Sequence, residues 1–455
     1  MGGLYAALNI STSALEAEQG ALQLTSNNVA NVNTPSYSRE LVNLEEQAGY
    51  TSSGMGAGVS FAAPTAVQDG VLEQRLNQET WQQGQYSAYL NQMNPVQSQF
   101  APGTGAGLDT AISTFFNSLQ QLSTNPSDVP TRTAVLGAAG GLATSFNQLG
   151  TALETQQTGA DQQLQQDVTQ INSYTAQIAT LNASIATAEN AGNGAASLID
   201  QRTQLLRDLS KLTVVNVTDT GSGEETITTG NGSALVIGNQ SFNLSAGVNA
   251  NGLHDVFDSN GNDITSTLTS GDIGGLIQAR DTTIPNLLSQ LNTLAKGIAD
   301  AVNTQNAAGF DLSGAAGGQF FTYTAGSEAT SLAVAITDPT KIAASSDGTA
   351  GSNGNATLMA EIANGNVVAG ETPATYYSGI VSNVGSDVQS TTTQQQAGQL
   401  VLQQLNNQRA SESGVSLDEE AVNLQQYQRA YQAAAQVLSV INSLTGTTMN
   451  MASGA

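Results

Sequence analysis

Apolar side chains recur every seven residues near the N-terminus of this chain. The repeat is carried by Leu8, Leu15, Leu22 and Val29, and neighbouring alanines widen the same face. Such spacing is typical of an amphipathic helix that packs against another helix. It predicts a helix of roughly 28 residues, about 42 Å long, that ends near Asn31.

A matching repeat lies more than 380 residues later in the chain. Its members are Leu417, Leu424, Tyr427, Tyr431, Leu438 and Ile441. They predict a helix of roughly 30 residues from near Ser416, about 45 Å long and so equal in length to the first. We expect the two helices to pair as a coiled-coil shaft and their apolar residues to bind partners. An ordinary antiparallel helix pair within a globular bundle would show the same periodicity.

Both predicted helices carry boundary signals. The asparagine-rich stretch 27–33 competes with helical hydrogen bonding, and Pro35 disfavours helical geometry in the residue before it. Ser416 and Glu419 have the spacing of a capping box, and acids suit the first turn of a helix. We therefore interpret the acidic cluster 418–420 as a helix start rather than as a general acid and base pair.

Helical periodicity also dominates much of the interior. It extends over residues 64–212, where Asp128 is a predicted N-cap and Pro130 lies in the first turn of the longest helix. It returns over residues 273–306 and 376–409. The helices are rich in Gln and thinly apolar, which favours an elongated bundle.

From Thr213 the pattern changes to short β-branched and apolar runs. Asn231-Gly232, Asn251-Gly252 and Asn260-Gly261 separate these runs, and Asn-Gly accommodates the positive φ angles of tight hairpins. Earlier in the chain, Gly54, Gly56 and Gly58 are spaced as in a hairpin or bulged loop. Residues 310–370 are rich in Gly, Ala, Ser and Thr, and we expect them to form loops with short strands.

These elements predict a mainly α fold with a β insertion, and 455 residues suffice for about three domains. Residues 1–35 with 412–455 form the terminal coiled-coil domain. Residues 36–211 with 272–411 form an elongated helical-bundle rod domain, and residues 212–271 form a small inserted β domain.

The amino-acid composition narrows the range of possible partners and binding sites. Charged residues make up only 10% of the chain, and 11 cationic against 36 acidic side chains give a formal charge of −25. Such a charge repels phosphate, so we expect no nucleic-acid partner and no anionic membrane partner. The absence of cysteine excludes disulfides and thiolate metal sites. We expect neither a cleaved secretory signal nor a membrane span, because no apolar run is long or continuous enough.

Candidate catalytic and metal-binding residues are few. His254 is the sole histidine and follows a predicted turn, so we interpret it as structural or surface-exposed. Asp258, Asn260, Asn262 and Asp263 loosely resemble a calcium loop, but the glycine is misplaced and no closing glutamate follows. We interpret them as a turn. The expectation is a protein that is not an enzyme, with no catalytic, cofactor or metal residues.

Two terminal motifs resemble the signatures of bacterial flagellar axial proteins. They are ALQLTSNNVANVNTPSYSRE at residues 21–40 and SGVSLDEEAVNLQQYQRAYQAAAQVL at residues 413–438. Within that family, the motifs Ile199-Asp200-Gln201-Arg202 and Gly309-Phe310-Asp311 are most similar to members at the junction between hook and filament. Ser36 stands where the family usually has glycine, which leaves the turn type open.

The resemblance implies a structural subunit that joins hook to filament through its paired termini, in a ring of copies. It implies type III export to the extracellular flagellum. The partners it implies are further copies of the chain, the hook protein, a second junction protein on the filament side, and an export chaperone at the C-terminal helix. Alternatives are another axial component, such as a hook or distal rod protein, or a secreted glycan-active enzyme, which would need paired carboxylates in a cleft.

Overall fold

The computed structural model describes the whole chain except Met1, Pro35, Asn193, Ser222 and residues 49–55, 101–106 and 454–455. Pro35 and Gly54, both used above as signals, thus lie outside the described residues. The α-helices are α1 (Gly2–Ala30), α2 (Gly70–Phe100), α3 (Leu108–Thr124), α4 (Val129–Asn190), α5 (Ala196–Leu212), α6 (Gly271–Ile277), α7 (Ile284–Ala307), α8 (Glu328–Ser331), α9 (Gly354–Glu361), α10 (Pro373–Ser413) and α11 (Leu417–Ser453). The β-strands are β1 (Glu40–Glu46), β2 (Val59–Ala66), β3 (Val215–Asp219), β4 (Glu225–Thr229), β5 (Ala234–Ile237), β6 (Gln240–Ser241), β7 (Ser245–Val248), β8 (His254–Phe257), β9 (Phe321–Thr322) and β10 (Ala333–Val334).

The terminal helices match the sequence prediction closely. The first ends at Ala30, one residue before the predicted boundary, and the last begins at Leu417. The Glu419 amide donates to the Ser416 hydroxyl at 3.4 Å, as a capping box requires. With 37 residues, α11 is longer than the periodicity predicted and extends to about 55 Å.

The rod is built around α4, a helix of 62 residues. Its N-cap is Asp128, whose carboxylate accepts the Thr131 amide at 2.9 Å, as predicted. One buried apolar core joins α2, α3, α4, α7 and α10. At its centre are packed phenylalanine rings with centroids 5.0 to 5.9 Å apart: Phe115, Phe116, Phe320 and Phe321. None of the described helices combines the length and apolarity needed to cross a bilayer.

A second core joins the later half of α4 to α5, α6 and the inserted β strands. Strands β3 to β6 form an antiparallel sheet in sequence order, and β7 pairs with β8. The predicted Asn231-Gly232 turn connects β4 to β5, and Gly232 has the positive φ of 90° that such a turn requires. The prediction of a small β insertion is confirmed.

The predicted helix over residues 273–306 is interrupted. Residues Gln278–Thr283 form a π-helical segment between α6 and α7, which helical periodicity alone did not predict. The segment turns Arg280 into the interior, where it is fully buried and donates to the Asp161 carboxylate at 2.7 Å. Asp161 also bonds Nδ1 of His254 at 2.7 Å, so the sole histidine ties β8 to the rod.

Residues 310–370 contain two short α-helices that the sequence did not predict, α8 and α9, beside the expected short strands. Buried asparagine side chains order the loops around α9. Asn306 accepts the Ala343 amide at 3.0 Å and donates to the Gly318 carbonyl at 2.8 Å. Such bonds replace the ladder partners that loop backbone groups lack.

Two acidic side chains lie in the interior beside the junction of rod and β insertion. Asp167 on α4 and Asp272 on α6 each have a buried carboxylate oxygen without a hydrogen-bond partner among the described residues. Burial raises the pKa of Asp272 to about 7, against the opposing effect of nearby Lys211. Because Asp272 is protonated more readily in the folded chain than in the unfolded chain, its contribution to stability is present at low pH and is lost as the pH rises.

We therefore expect the free energy of unfolding to fall between pH 3.8, the ordinary aspartate pKa, and about pH 7, owing to this side chain. The change is on the order of 3 kcal/mol. Asp272→Asn should flatten the pH dependence, and Asp418→Asn, at an exposed aspartate, should not. Denaturant unfolding of each variant at pH 5 and pH 8 measures this; equal slopes in wild type and Asp272→Asn would contradict it.

Candidate functional site

The candidate site is the terminal pair, defined as α1 with α11. The Arg39 amide donates to the Ser413 carbonyl at 2.8 Å, and its guanidinium pairs with Glu419, so the end of α1 lies beside the start of α11. Further along, burial and the nearby Glu18 carboxylate raise the pKa of Tyr427. The helices therefore run antiparallel, with Glu18 and Tyr427 at one level.

Small side chains form the covered face of α1. Ala17, Ala21 and Thr25 are almost fully buried there. Hairpin β1–β2 packs along the same helix, and a Cβ at Gly20 would lie 2.7 Å from the Phe61 ring. Only glycine at this position lets the hairpin approach so closely. The small residues thus give α1 two covered flanks and leave its third flank open.

The ten residues predicted to bind partners differ in burial. Ile441 is buried, whereas Leu417 and Tyr431 are exposed. The others are half-buried along the pair: Leu8, Leu15, Leu22, Val29, Leu424, Tyr427 and Leu438. Leucines at the margin of the contact still offer apolar surface to a further helix.

A second apolar stripe on α11 was not predicted. We call it the outer stripe, and it consists of Val422, Ala433, Val437, Val440 and Leu444. Its four larger side chains are 51% to 64% exposed. The spacing places them on one side of the helix, turned away from Leu424, Leu438 and Ile441. One helix partner cannot cover both faces, so this stripe stays open in the single chain.

The asparagine-rich motif closes the end of α1. The buried Asn28 side chain donates to the Glu40 carbonyl at 2.9 Å and accepts the Glu40 amide at 3.1 Å. Its oxygen also accepts the Tyr37 hydroxyl at 2.8 Å. One side chain therefore folds the turn back so that β1 starts beside the helix end.

The turn itself passes through Ser36, which has a positive φ of 65°. This is the left-handed conformation that glycine adopts without penalty, and here serine adopts it. The Ser36 hydroxyl accepts from Arg207 at 2.9 Å and donates to Gln204, both on α5. These bonds from a polar side chain offset the conformational cost that a glycine would avoid.

Ser36 belongs to a buried polar cluster that we call the joint, because it links the terminal pair to three rod helices. Glu73 on α2 binds Arg409 of α10 at 2.6 Å and Arg207 of α5 at 2.5 Å. Arg409 also donates to the Ser36 carbonyl at 2.8 Å. The Ser38 amide donates to Asp200 at 2.9 Å. Burial raises the pKa of the Asp200 carboxyl, although the hydrogen bond from the Ser38 amide favours its charged form.

Sequence reasoning did not single out Glu73, Arg207 or Arg409. The available signal was the isolation of Glu73 and Arg409, which are among the few charges of long, Gln-rich helices; Arg207 lies among four other charged side chains of α5 and gave no such signal. An isolated charge in such a helix needs a partner from another element when it is buried. Periodicity does not reveal which element supplies that partner.

The candidate catalytic and metal-binding residues do not converge on a site. Glu420 is buried, Glu419 pairs with Arg39, and Asp418 is exposed. The suspected calcium loop is a turn in which Asp258 accepts the Asn260 and Asn262 amides, each at 2.9 Å. Among the described residues, no group of three or more histidine and acidic side chains is arranged to hold a metal ion.

Comparison with known proteins decides the family. The family model described as the helical domain of flagellar hook-associated protein FlgK matches residues 93–321, just over half of the chain. The chain belongs to the FlgK family of flagellar hook-associated proteins. Models for the flagellar basal body rod FlgEFG C-terminal region and for the flagella basal body rod protein match residues 407–451 and 8–37, which contain most of the terminal pair.

Named FlgK relatives match nearly end to end. Flagellar hook-associated protein 1 of Bacillus subtilis is 27% identical over 99% of both chains, and that of Escherichia coli is 28% identical over 98% of this chain and 99% of the relative. The flagellar hook junction protein FlgK of Burkholderia pseudomallei shares the fold, with a TM-score of 0.68 at 18% identity. The match covers 75% of this chain and 100% of that one.

We expect Glu73→Gln to loosen the joint by about 3 kcal/mol, because it leaves two largely buried guanidinium groups without a counter-charge. Hydrogen exchange should then accelerate at the Ser38 and Arg39 amides and stay slow in the buried part of α4. The matched control is Arg75→Gln, which changes an exposed side chain on the same helix. Equal exchange in both variants would show that the joint does not hold the turn.

Proposed function

We propose that this protein is a structural subunit at the junction of flagellar hook and filament, where copies assemble as a ring through their terminal helix pairs. The observation that carries the proposal is the outer stripe of α11, an ordered apolar surface without a partner in the single chain. The named relatives, flagellar hook-associated proteins and a hook junction protein, support the same location.

The chemistry of the terminal pair suits assembly. Fully burying a valine or leucine side chain contributes about 1.5 to 3 kcal/mol, so the outer stripe supplies most of the attraction between neighbours. The other outward positions are mainly Gln, Ser and Ala, which are cheaper to desolvate than charges. A surface of this kind packs closely against further helices.

We also propose the division into three units. The terminal unit (residues 1–35 with 412–455) binds neighbours, the helical rod (36–211 with 272–411) carries it, and the β insertion (212–271) is an appendage of the rod. The joint supports this division, since Glu73, Arg207 and Arg409 come from three rod helices and together hold the Ser36 turn. Force applied to the terminal pair would then pass into the rod through charged hydrogen bonds.

The finer partners follow from the same surface and from the family. The hook protein and a second junction protein on the filament side would bind the ring that the copies form. An export chaperone would bind the end of α11, where Met449 and Met451 are exposed beyond the level of α1. Export through the flagellum's own channel would place the protein outside the cell.

We expect Val437→Glu to abolish capping of isolated hooks, because it puts a charge into the middle of the outer stripe. The folded chain should be unaffected, since Val437 is more than half exposed. Purified protein is added to sheared hooks, and the fraction of capped hook ends is counted by electron microscopy. We expect the fraction to fall by at least about tenfold, given several kcal/mol for a buried unpaired charge.

The control is Val248→Glu, the same substitution at a similarly exposed valine of β7 in the inserted domain. It should cap hooks like the wild type. Circular dichroism and thermal unfolding of both variants establish that they are folded. Normal capping by Val437→Glu would refute the proposed function.

A further inference from the structure

One cation on the terminal pair has no partner. In residues 2–30 and 417–453 the acids are Glu16, Glu18, Asp418, Glu419 and Glu420, and Arg429 is the single basic side chain. Arg429 is exposed and makes no hydrogen bond or ion pair with any described residue. It lies in line with the outer stripe, between Val422 and Ala433. Packing of copies in a ring would bury this charge without a counter-charge unless a neighbour supplied an acid.

The open flank of α1 offers that acid. It is formed by exposed, mainly neutral polar side chains, with one charge, Glu16. Its members are Asn9, Thr12, Glu16, Gln19 and Gln23. Glu16 likewise has no hydrogen-bond or ion-pair partner in the described part of the chain. Glu16 and Arg429 therefore lie on the two open flanks of the terminal pair, each without a partner in the described part of the chain.

They also lie at one level along its axis. Thr25 of α1 and Glu420 of α11 line one cleft between the antiparallel helices. Moving nine residues back along α1 and nine residues forward along α11 from there is a step in the same direction, and it leads to Glu16 and Arg429. Copies placed side by side thus bring Arg429 of one within reach of Glu16 of the next, and the long arginine side chain tolerates some stagger.

A second pair obeys the same register. Tyr5 precedes Glu16 by as many residues as Val440 follows Arg429, and this separation returns each helix to the same face. Tyr5 and Val440 are 63% and 57% exposed, so both are free for an apolar contact. Only one alignment of the two helices brings Arg429 to Glu16 and Val440 to Tyr5 at the same time.

We propose that in the assembled ring α11 of each copy packs its outer stripe against the open flank of α1 of a second copy, with Arg429 paired to Glu16. This inference rests on the proposed function and specifies its contact. The pair selects the alignment of neighbours, since opposite charges steer register and like charges oppose it.

Charge exchange tests the pair in the full chain. Arg429→Glu and Glu16→Arg should each lower hook capping at least about tenfold by juxtaposing like charges. The double variant should recover capping to within about threefold of the wild type. Thermal unfolding should be unchanged, because both side chains are exposed. Wild-type capping by both single variants, failure of the double variant, or rescue of Arg429→Glu by Asp418→Arg would overturn the pairing.

Failure of this inference is distinguishable from failure of the proposed function. If Val437→Glu abolishes capping and the charge variants do not, the ring stands and the contact is wrong. Because the chain lacks cysteine, Glu16→Cys and Arg429→Cys chains can be mixed, assembled on hooks and joined by a short bis-maleimide. We expect a heterodimer from this mixture and little from Glu16→Cys with Val422→Cys, two turns away. Assembled rings that give no heterodimer in the first mixture would overturn the contact.

Discussion

The architecture depends on one geometric constraint: α11 has apolar side chains on two sides and the chain supplies only one helix to cover them. Its inner side meets the small residues of α1, including Ala17 and Ala21. The large side chains of its outer stripe are left more than half exposed by the described chain. Covering it intramolecularly would require a third long helix beside the pair, but the flank of α1 carries hairpin β1–β2 instead. The single chain therefore leaves one side of its terminal pair uncovered.

The joint addresses the mechanical consequence of this arrangement. A terminal pair that binds neighbours must hold a fixed angle to the rod, and an apolar contact alone allows sliding. The bonds from Arg207 and Arg409 to Glu73 are directional, and the left-handed Ser36 lies against both arginines. A cation also links two elements elsewhere: Arg280, in the π-helical segment before α7, pairs with Asp161 of α4. Arg207, Arg280 and Arg409 thus hold together elements that are distant in sequence.

Much of this fold follows from sequence pattern. Heptads predict both terminal helices, Asp128 predicts the start of α4, and Asn231-Gly232 predicts a hairpin, because each depends on local geometry. Periodicity predicted the seam with Leu424 and Leu438 but did not reveal the outer stripe, which lies on another side of the same helix. The joint was equally hidden, as its members come from separate helices and only tertiary packing brings Glu73 to Arg409. The π-helical turn at Arg280 accompanies a buried ion pair with Asp161, a tertiary contact that periodicity does not reveal.

Charge distribution would let copies with a formal charge of −25 lie side by side in the proposed ring. Residues 80–100 of α2, 168–188 of α4 and 388–408 of α10 contain no charged side chain. Acids are instead frequent in the β insertion, as at Asp219, Glu224 and Glu225. Repulsion between exposed charges is screened over about 8 Å at physiological salt, so it weakens once acids lie well away from a contact. Neutral helical surfaces would therefore let neighbours approach. Arg429 is the one cation of α11, and its burial in the ring would require an acid from a neighbour.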